Sequence, residues 1–295
     1  MQLKTKEMAK KTKICYIISD INKAVAFEWI AEELDRQHFE LSFILLLPPG
    51  SCALEEFLNK NGIRTKRIKL CSKKDFICAF FSCFRTLLKW NPSVVHCHLR
   101  KATLLGLSAA KLLGIQRRIY TRHHATFHHD YFPAAVKWDH LCNTLATDIV
   151  AISENVKEVL QELEKVPPEK IHLIHHGFDL TVFADVRENR VEAVRKKYLA
   201  SAQNQFVVGV IGRYIEWKGH EYIVTAAKEL LADYPDSLFI FANASGPDEQ
   251  KIRQLLQESL PARNYVEIKF EEEEEMKVDQ YNTSQPDFAQ SIVPL

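Results

Sequence analysis

Short runs of apolar, β-branched residues recur along this chain, separated by stretches with the period of an amphipathic helix. That alternation narrows the fold more than any other feature. The runs fall at residues 13–18, 41–47, 65–70, 94–97, 118–121, 148–152 and 171–174. Phe27, Ile30, Ala31 and Leu34 follow the i, i+3, i+4, i+7 spacing of one helix face, as do Val156, Val159, Leu160 and Leu163. Several strands are apolar along their whole length, as expected of a sheet covered on both faces. Residues 102–113 are apolar nearly all round and are expected to form a buried helix. Ser153 can cap the helix that follows strand 148–152, with Glu154 at the positive end of its dipole. A repeated β-α order of this kind predicts an α/β fold built on a parallel, doubly wound sheet.

After Gly177 the pattern lapses, and residues 181–205 are polar and charged, with one helix expected over 191–198. A second β-α series follows: strands at 206–211, 238–242 and 265–270, a helix through Ile223, Ala226, Ala227 and Leu230, and another over 248–259. Beyond Glu271 the periodicity stops in an acidic run. The expected organisation is a first domain over residues 1–180, an inter-domain crossing over 181–205, a partial second domain over 206–270, and a disordered acidic tail over 271–295.

Charge and composition exclude other classes. With 46% apolar and 26% charged residues, most of the chain is globular and not disordered. The longest near-apolar run, residues 76–84, is far short of the ~20 residues that span a bilayer. Residues 1–13 are Lys-rich and polar and lack the apolar stretch of a secretory signal. Seven cysteines with no CxxC pair indicate free thiols, and Cys15, Cys78, Cys83 and Cys97 are expected to pack as small hydrophobes in a reducing cytoplasm. Residues 1–180 hold 26 Lys and Arg against 19 Asp and Glu, a net +7, so this half can meet phosphate, nucleic acid or anionic lipid, or is a mildly basic domain with no particular partner.

The most specific local signal is Gly212-Arg213-Tyr-Ile-Glu-Trp-Lys218-Gly219, set between a strand and a helix. Ligands of open α/β sheets bind at the carboxyl ends of strands. Glycine there admits a close approach to the backbone, Arg213 and Lys218 bring positive charge, and the helix N-terminus adds more.

This Gly-Arg-x4-Lys-Gly pattern resembles that of the retaining glycosyltransferases of family four. Four further segments agree in the same order: Pro92-Ser-Val-Val-His96-Cys-His98, Arg118-Ile-Tyr-Thr-Arg-His123-His124, Ile149-Val-Ala-Ile-Ser153-Glu, and Ile174-His-His-Gly177-Phe-Asp179 with Phe183 after it. The likeness covers residues 13–270. It implies a GT-B-like fold of two Rossmann-like doubly wound domains, the second incomplete. It also implies transfer of a sugar, with retention, from a nucleotide-sugar donor to a glycan or lipid-linked acceptor. Gly212, Arg213 and Lys218 would hold the donor diphosphate, and His123 or His124 would contact the donor sugar. No metal or other cofactor is implied, because basic side chains take the cation's place, and no nucleic-acid partner is expected.

Two departures stand out. The loop after the first strand reads Ser19-Asp20-Ile21-Asn22-Lys23-Ala24, where the family has a Gly-Gly turn. The family's pair of glutamates, eight positions apart late in the second domain, has no counterpart in context. Glu221 with Glu229, and Glu267 with Glu275, have the spacing by coincidence. The chain therefore reads as C-terminally truncated or with its end replaced. The first reading is a transferase, and the alternatives are a non-catalytic relative that keeps residual nucleotide binding and, behind it, a sugar-nucleotide epimerase of the same architecture. Because the ribose, base and sugar contacts of the family come mostly from the half-domain that is missing here, the chain as given is expected to have little or no transferase activity.

Seven of the twelve histidines lie between His96 and His140. His123-His124 and His128-His129 read as a cleft-lining loop rather than a metal site, since Asp130 is the one carboxylate at a plausible ligand spacing. His96 and His98 alternate on a strand end and so share a face, where core packing and backbone hydrogen bonds are expected. His175-His176 reads as a turn. Residues 76–90 carry Phe76, Phe80, Phe81, Phe84 and Trp90, with Lys73, Lys74, Arg85 and Lys89 nearby. Two readings remain open for them: a helix packed on the sheet, or a peripheral contact with the inner face of the membrane.

Overall fold

A computed structural model describes residues 11–180, 188–198 and 206–269. The chain divides into two compact units, Met1–Phe178 and Asp179–Leu295. The expected tail over 271–295 and most of the expected crossing lie outside the described residues.

Unit 1 is a seven-stranded parallel sheet with the order β3-β2-β1-β4-β5-β6-β7. Its strands are β1 (Thr12–Ser19), β2 (Phe39–Leu47), β3 (Arg64–Lys69), β4 (Val94–His98), β5 (Arg117–Arg122), β6 (Asp148–Ala151) and β7 (Ile171–Leu173). Between them run α1 (Val25–Glu33), α2 (Ala53–Lys60), α3 (Phe76–Trp90), α4 (Arg100–Leu112), α5 (Phe127–Tyr131), α6 (Pro133–Leu145) and α7 (Glu154–Glu158), the last continuing as a π turn over Val159–Leu163.

Side-chain alternation splits the core across the sheet. Ile18, Phe43 and Leu45 face α1 and α2, where Phe27, Ala31, Leu54 and Leu58 meet them. Cys15, Ile17, Ile44 and Leu46 face the other way, into a larger cluster with Ala79, Cys83 and Leu87 of α3, Leu105 and Ala109 of α4 and Cys142 of α6. Each buried Leu or Ile contributes about 1.5–3 kcal/mol over an exposed one, so both faces of β1 and β2 are held by apolar burial.

Unit 2 is described through α8 (Glu188–Tyr198), β8 (Val207–Ile211), α9 (His220–Asp233), β9 (Leu238–Ala242), α10 (Glu249–Ser259) and β10 (Tyr265–Ile268). Its three strands are parallel in the order β10-β9-β8. Tyr214, Val224, Ala227, Phe239, Phe241, Ile252 and Leu256 form its core.

All ten strands anticipated from the sequence are present, with ends within two residues of expectation. Ser153 caps α7 as expected, its Oγ accepting from the Val156 amide at 3.3 Å. α2, α5 and α6 were not anticipated: α2 is a short amphipathic helix, α5 puts His128 and His129 on a helical turn where a loop was expected, and α6 starts at Pro133 beyond the histidine-rich stretch. One expectation is corrected. Cys78 is exposed, because it lies on the outer side of α3, whereas Cys15, Cys83 and Cys97 are buried free thiols.

α4 lies close against β1 and β4 because Gly106 leaves room. A Cβ there would sit 2.7 Å from both the Cys97 Sγ and the Ile17 Cδ1. Gly106→Val is therefore expected to overpack this contact and to lower unfolding stability by about 1–3 kcal/mol, measured by urea denaturation.

Candidate functional site

The chemistry-bearing side chains of unit 1 gather at the carboxyl edge of its sheet. His96 and His98 do share a face of β4, with ring centroids 4.4 Å apart. Their partners are side chains, contrary to the expectation of backbone bonds. His96 Nε2 is 2.9 Å from Thr121 Oγ1, and His98 Nδ1 is 3.1 Å from His123 Nε2. Tyr16 of β1 stacks on His96 at 5.0 Å, and Phe27 of α1 meets His98 edge-on at 4.8 Å. His176 stacks on His123 at 5.6 Å and 11°, which gives the expected turn residue a place in the cluster.

Burial disfavours the charged form of these rings. It lowers His96 to about 4 and His123 to about 3, and it holds His98 well below its ordinary 6.5. For His124 burial and then the Arg122 charge lower the value to about 2. The rings are therefore neutral at pH 7, and each offers one N–H donor and one acceptor nitrogen. His98 Nε2 and His123 Nδ1 are buried without a hydrogen-bond partner. Such groups suit a polyol, whose hydroxyls both give and accept.

A buried ion-pair network fixes the segment after β5. Arg122 Nη2 lies 2.5 Å from Glu164 Oε1, and Nη1 lies 3.2 Å from Asp139 Oδ1. Its Nε donates to the His124 carbonyl at 3.0 Å, which ties His124 to the network. His128 Nδ1 is 2.6 Å from Asp139 Oδ2, and His129 Nε2 is 3.2 Å from Glu164 Oε1. Asn143 donates to Glu164 at 2.7 Å and accepts from the Tyr120 hydroxyl. Buried ion pairs stand only when their remaining lone pairs are also bonded, and here the surrounding amide, hydroxyl and imidazoles do that. The sequence reading missed Asp139, Glu164 and Asn143, since nothing in local spacing joins residues 122, 139 and 164.

The ligand atoms of His124, His128 and Asp139 lie within 4.8 Å of one another, so these are the residues that could hold a metal ion. The Arg122 guanidinium already sits on the Asp139 carboxylate. A cation there would face that charge, and the hydrogen-bonded network describes the group better.

In unit 2, Gly212 follows β8 directly, and its amide bonds to the Ala242 carbonyl at 3.1 Å. Arg213 comes next, and Lys218 ends a 3₁₀ turn over Glu216–Lys218. The Lys218 stem passes 4.0 Å from where a Gly212 Cβ would stand, so the two positions adjoin. Gly219, at φ 67, turns the chain into α9. Between them Tyr214 is wholly buried, and its hydroxyl donates to Glu267 at 2.9 Å. Gly246, at φ 146, presses on Tyr214, where a Cβ would come 2.5 Å from the Tyr214 carbonyl oxygen. The loop that carries Arg213 and Lys218 is thus anchored from below, at the carboxyl end of β8 and the N-terminus of α9. Glu221 pairs with Lys251, and Glu267 is engaged by Tyr214 and Arg253; Glu275 lies outside the described residues.

The buried imidazoles make stability depend on pH. Their folded pKa values lie below the unfolded 6.5, so the unfolded chain binds more protons between about pH 3 and 6.5. Stability is complete above 6.5 and is lost on acidification through that window. Urea titrations from pH 7.5 to 4.5 are expected to show this fall, and His123→Gln should flatten it.

The profile of Glycosyltransferase Family 4 matches residues 27–182. The UDP-Gal:alpha-D-GlcNAc-diphosphoundecaprenol alpha-1,3-galactosyltransferase of Escherichia coli is 29% identical over 168 residues, covering 55% of this chain and 43% of that one. The chain spans about half the length of the curated relatives it matches. The crystal structure of Anabaena Alr3699/HepE in complex with UDP superposes with a TM-score of 0.67 at 16% identity, covering 88% of this chain and 69% of that one. The UDP-GlcNAc 2-epimerase of Neisseria meningitidis, bound to UDP-GlcNAc, has the same fold with a TM-score of 0.57 at 16% identity, covering 88% and 72%. The fold is GT-B-like, and with more than half its residues matched the chain belongs to glycosyltransferase family 4.

Proposed function

We propose that the chain binds a UDP-sugar through unit 2 and a glycan or lipid-linked acceptor through unit 1, and transfers the sugar with retention of configuration. The observation that carries this reading is the anchored loop between β8 and α9, which brings Gly212, Arg213 and Lys218 to a strand's carboxyl end. Arg213 and Lys218 hold the donor diphosphate and stabilise its charge as it leaves. Stabilisation of that kind is usually the largest catalytic contribution. His123 or His124 donates a hydrogen bond to a hydroxyl of the donor sugar, with Arg122 fixing the backbone that presents His124. The similar E. coli enzyme takes UDP-Gal and a diphosphoundecaprenol-linked GlcNAc, and the similar Anabaena protein holds UDP, which supports a uridine donor and a diphospholipid acceptor.

The acceptor reading extends to a membrane surface. α3 buries Ala79, Cys83 and Leu87 but exposes Ile77, Phe81 and Leu88, with Lys73, Lys74, Arg85 and Lys89 exposed beside them. Apolar side chains among cations suit the headgroup region of an anionic bilayer. Among the described residues no helix is long and apolar enough to cross a membrane.

Three measurements test these assignments. Calorimetry with UDP is expected to show binding that Arg213→Ala weakens about tenfold or more, the loss of a charge-assisted hydrogen bond. Incubation with UDP-sugars should give sugar transfer only when a prenyl-diphosphate-linked sugar is present. Conversion of UDP-GlcNAc without any acceptor would instead favour the epimerase reading, which the Neisseria structure keeps in view. Co-sedimentation with phosphatidylglycerol vesicles should be reduced by Phe81→Glu, and unchanged binding would remove α3 from the membrane contact.

A further inference from the structure

In an open doubly wound sheet, ligands collect at the carboxyl edge where the strand order reverses. In unit 1 that place lies between β1 and β4, with β2 and β3 to one side and β5 to β7 to the other. Ser19 and Asp20 end β1 there, and Leu99, Arg100 and Lys101 follow β4.

α4 begins at this point without a cap. Leu99 is its N-cap and offers no side-chain oxygen, so the amides of Arg100, Lys101 and Ala102 have no acceptor within the helix. The first turn holds no acid and two cations, although the helix dipole disfavours positive charge at this end. Leu99 itself has φ 68 and ψ 148, a conformation suited to glycine, and such strain gathers where a ligand site constrains the backbone.

An independent observation points to the ligand. Ser19 is wholly buried, and among the described residues its Oγ has no hydrogen-bond partner. Ile17, two residues earlier on the same side of β1, packs at Gly106. A strand advances ~6.6 Å over two residues, and a helix needs ~4 residues for that length. Ser19 therefore comes beside residues 101–102. Lys101 Nζ meanwhile pairs with Asp20 Oδ1 at 2.7 Å, both about half exposed, so a carboxylate already lies at this helix end. Among the described residues Arg100 makes no ion pair.

We propose that this switch point is a diphosphate site, formed by Lys101, Arg100, the first-turn amides of α4 and the Ser19 hydroxyl, and that it holds the diphosphate of the lipid-linked acceptor. The phosphate oxygens take the place of the Asp20 carboxylate on Lys101, Ser19 donates its hydroxyl proton to one of them, and Arg100 closes from the solvent side. The assignment to the acceptor rests on reading unit 1 as the acceptor side, because Arg213 and Lys218 of unit 2 serve the donor diphosphate.

The test is hydrogen exchange of the full chain, read by peptide, with geranyl diphosphate, inorganic pyrophosphate and UDP. Geranyl diphosphate and pyrophosphate are expected to slow exchange in residues 17–22 and 99–106. Lys101→Gln should weaken that protection about tenfold or more in ligand concentration, and the exposed Arg100→Gln should weaken it less. Should Lys101→Gln prove misfolded by circular dichroism, Arg100→Gln alone decides. No protection by geranyl diphosphate in these peptides, or protection that survives substitution, overturns the proposal. Protection there by UDP but not by geranyl diphosphate gives the site to the donor and overturns the acceptor assignment. Exchange in residues 212–222 with UDP reads the donor site separately, so its failure counts against that reading and not against this one.

Discussion

Unit 1 depends on the pairing of β1 with both β2 and β4. β1 is flanked in register from Thr12 to Ser19 on one side and from Ile14 to Ile18 on the other. Parallel neighbours need a crossover, so the chain must run over one face of the sheet towards β3 and then over the other towards β7. In sheets of this kind ligands collect at the carboxyl edge where the strand order reverses. Ser19, His98 and Leu99 stand at that edge because β1 and β4 end there. Apolar burial on both sides of β1 secures the arrangement, through Ile18 on one side and Cys15 and Ile17 on the other.

Polar groups placed at such an edge must be satisfied or held ready for a ligand. The Arg122 network follows the first course. One guanidinium meets two carboxylates, and Asn143, Tyr120, His128 and His129 complete the bonding. Removing any one partner would leave a buried charge or dipole unmatched, which is why such groups hold their geometry so firmly. Its most direct consequence for the site is the Arg122 bond to the His124 carbonyl. At Ser19, His98 and His123 one buried polar atom each has no hydrogen-bond partner among the described residues. Such atoms are uncommon in folded proteins and are costly to leave unmatched.

Unit 2 solves a different problem with the same architecture. Its loop after β8 is built to carry two cations close together on a short path between strand and helix. Tyr214 reaches across to Glu267 of β10, and Gly246 packs against the Tyr214 backbone, so the loop is braced by a neighbouring strand and by the turn after β9. Anchoring of this kind limits the entropy lost when a charged ligand docks. Unit 1 offers neutral imidazoles and a basic helix end, while unit 2 offers fixed positive charge.

The sequence by itself determined the strands, because a fully apolar β-branched run has few other stable uses, and it determined the class of fold through their alternation with helices. It also offered Gly212, Arg213 and Lys218 as candidate phosphate ligands, since those residues lie within one short loop. It did not reveal α2, α5 or α6, whose helical period is brief or lies beside the histidine-rich stretch. Tertiary structure alone decided which polar residues meet. Arg122, Asp139 and Glu164 are joined by the packing of α6 and the π turn against β5, and His98 finds His123 because their strands are neighbours. Ser19 looks like an ordinary loop residue until the fold buries it completely at the end of β1. Pairing between distant segments depends on sheet order and crossover, and no local spacing of residues encodes either.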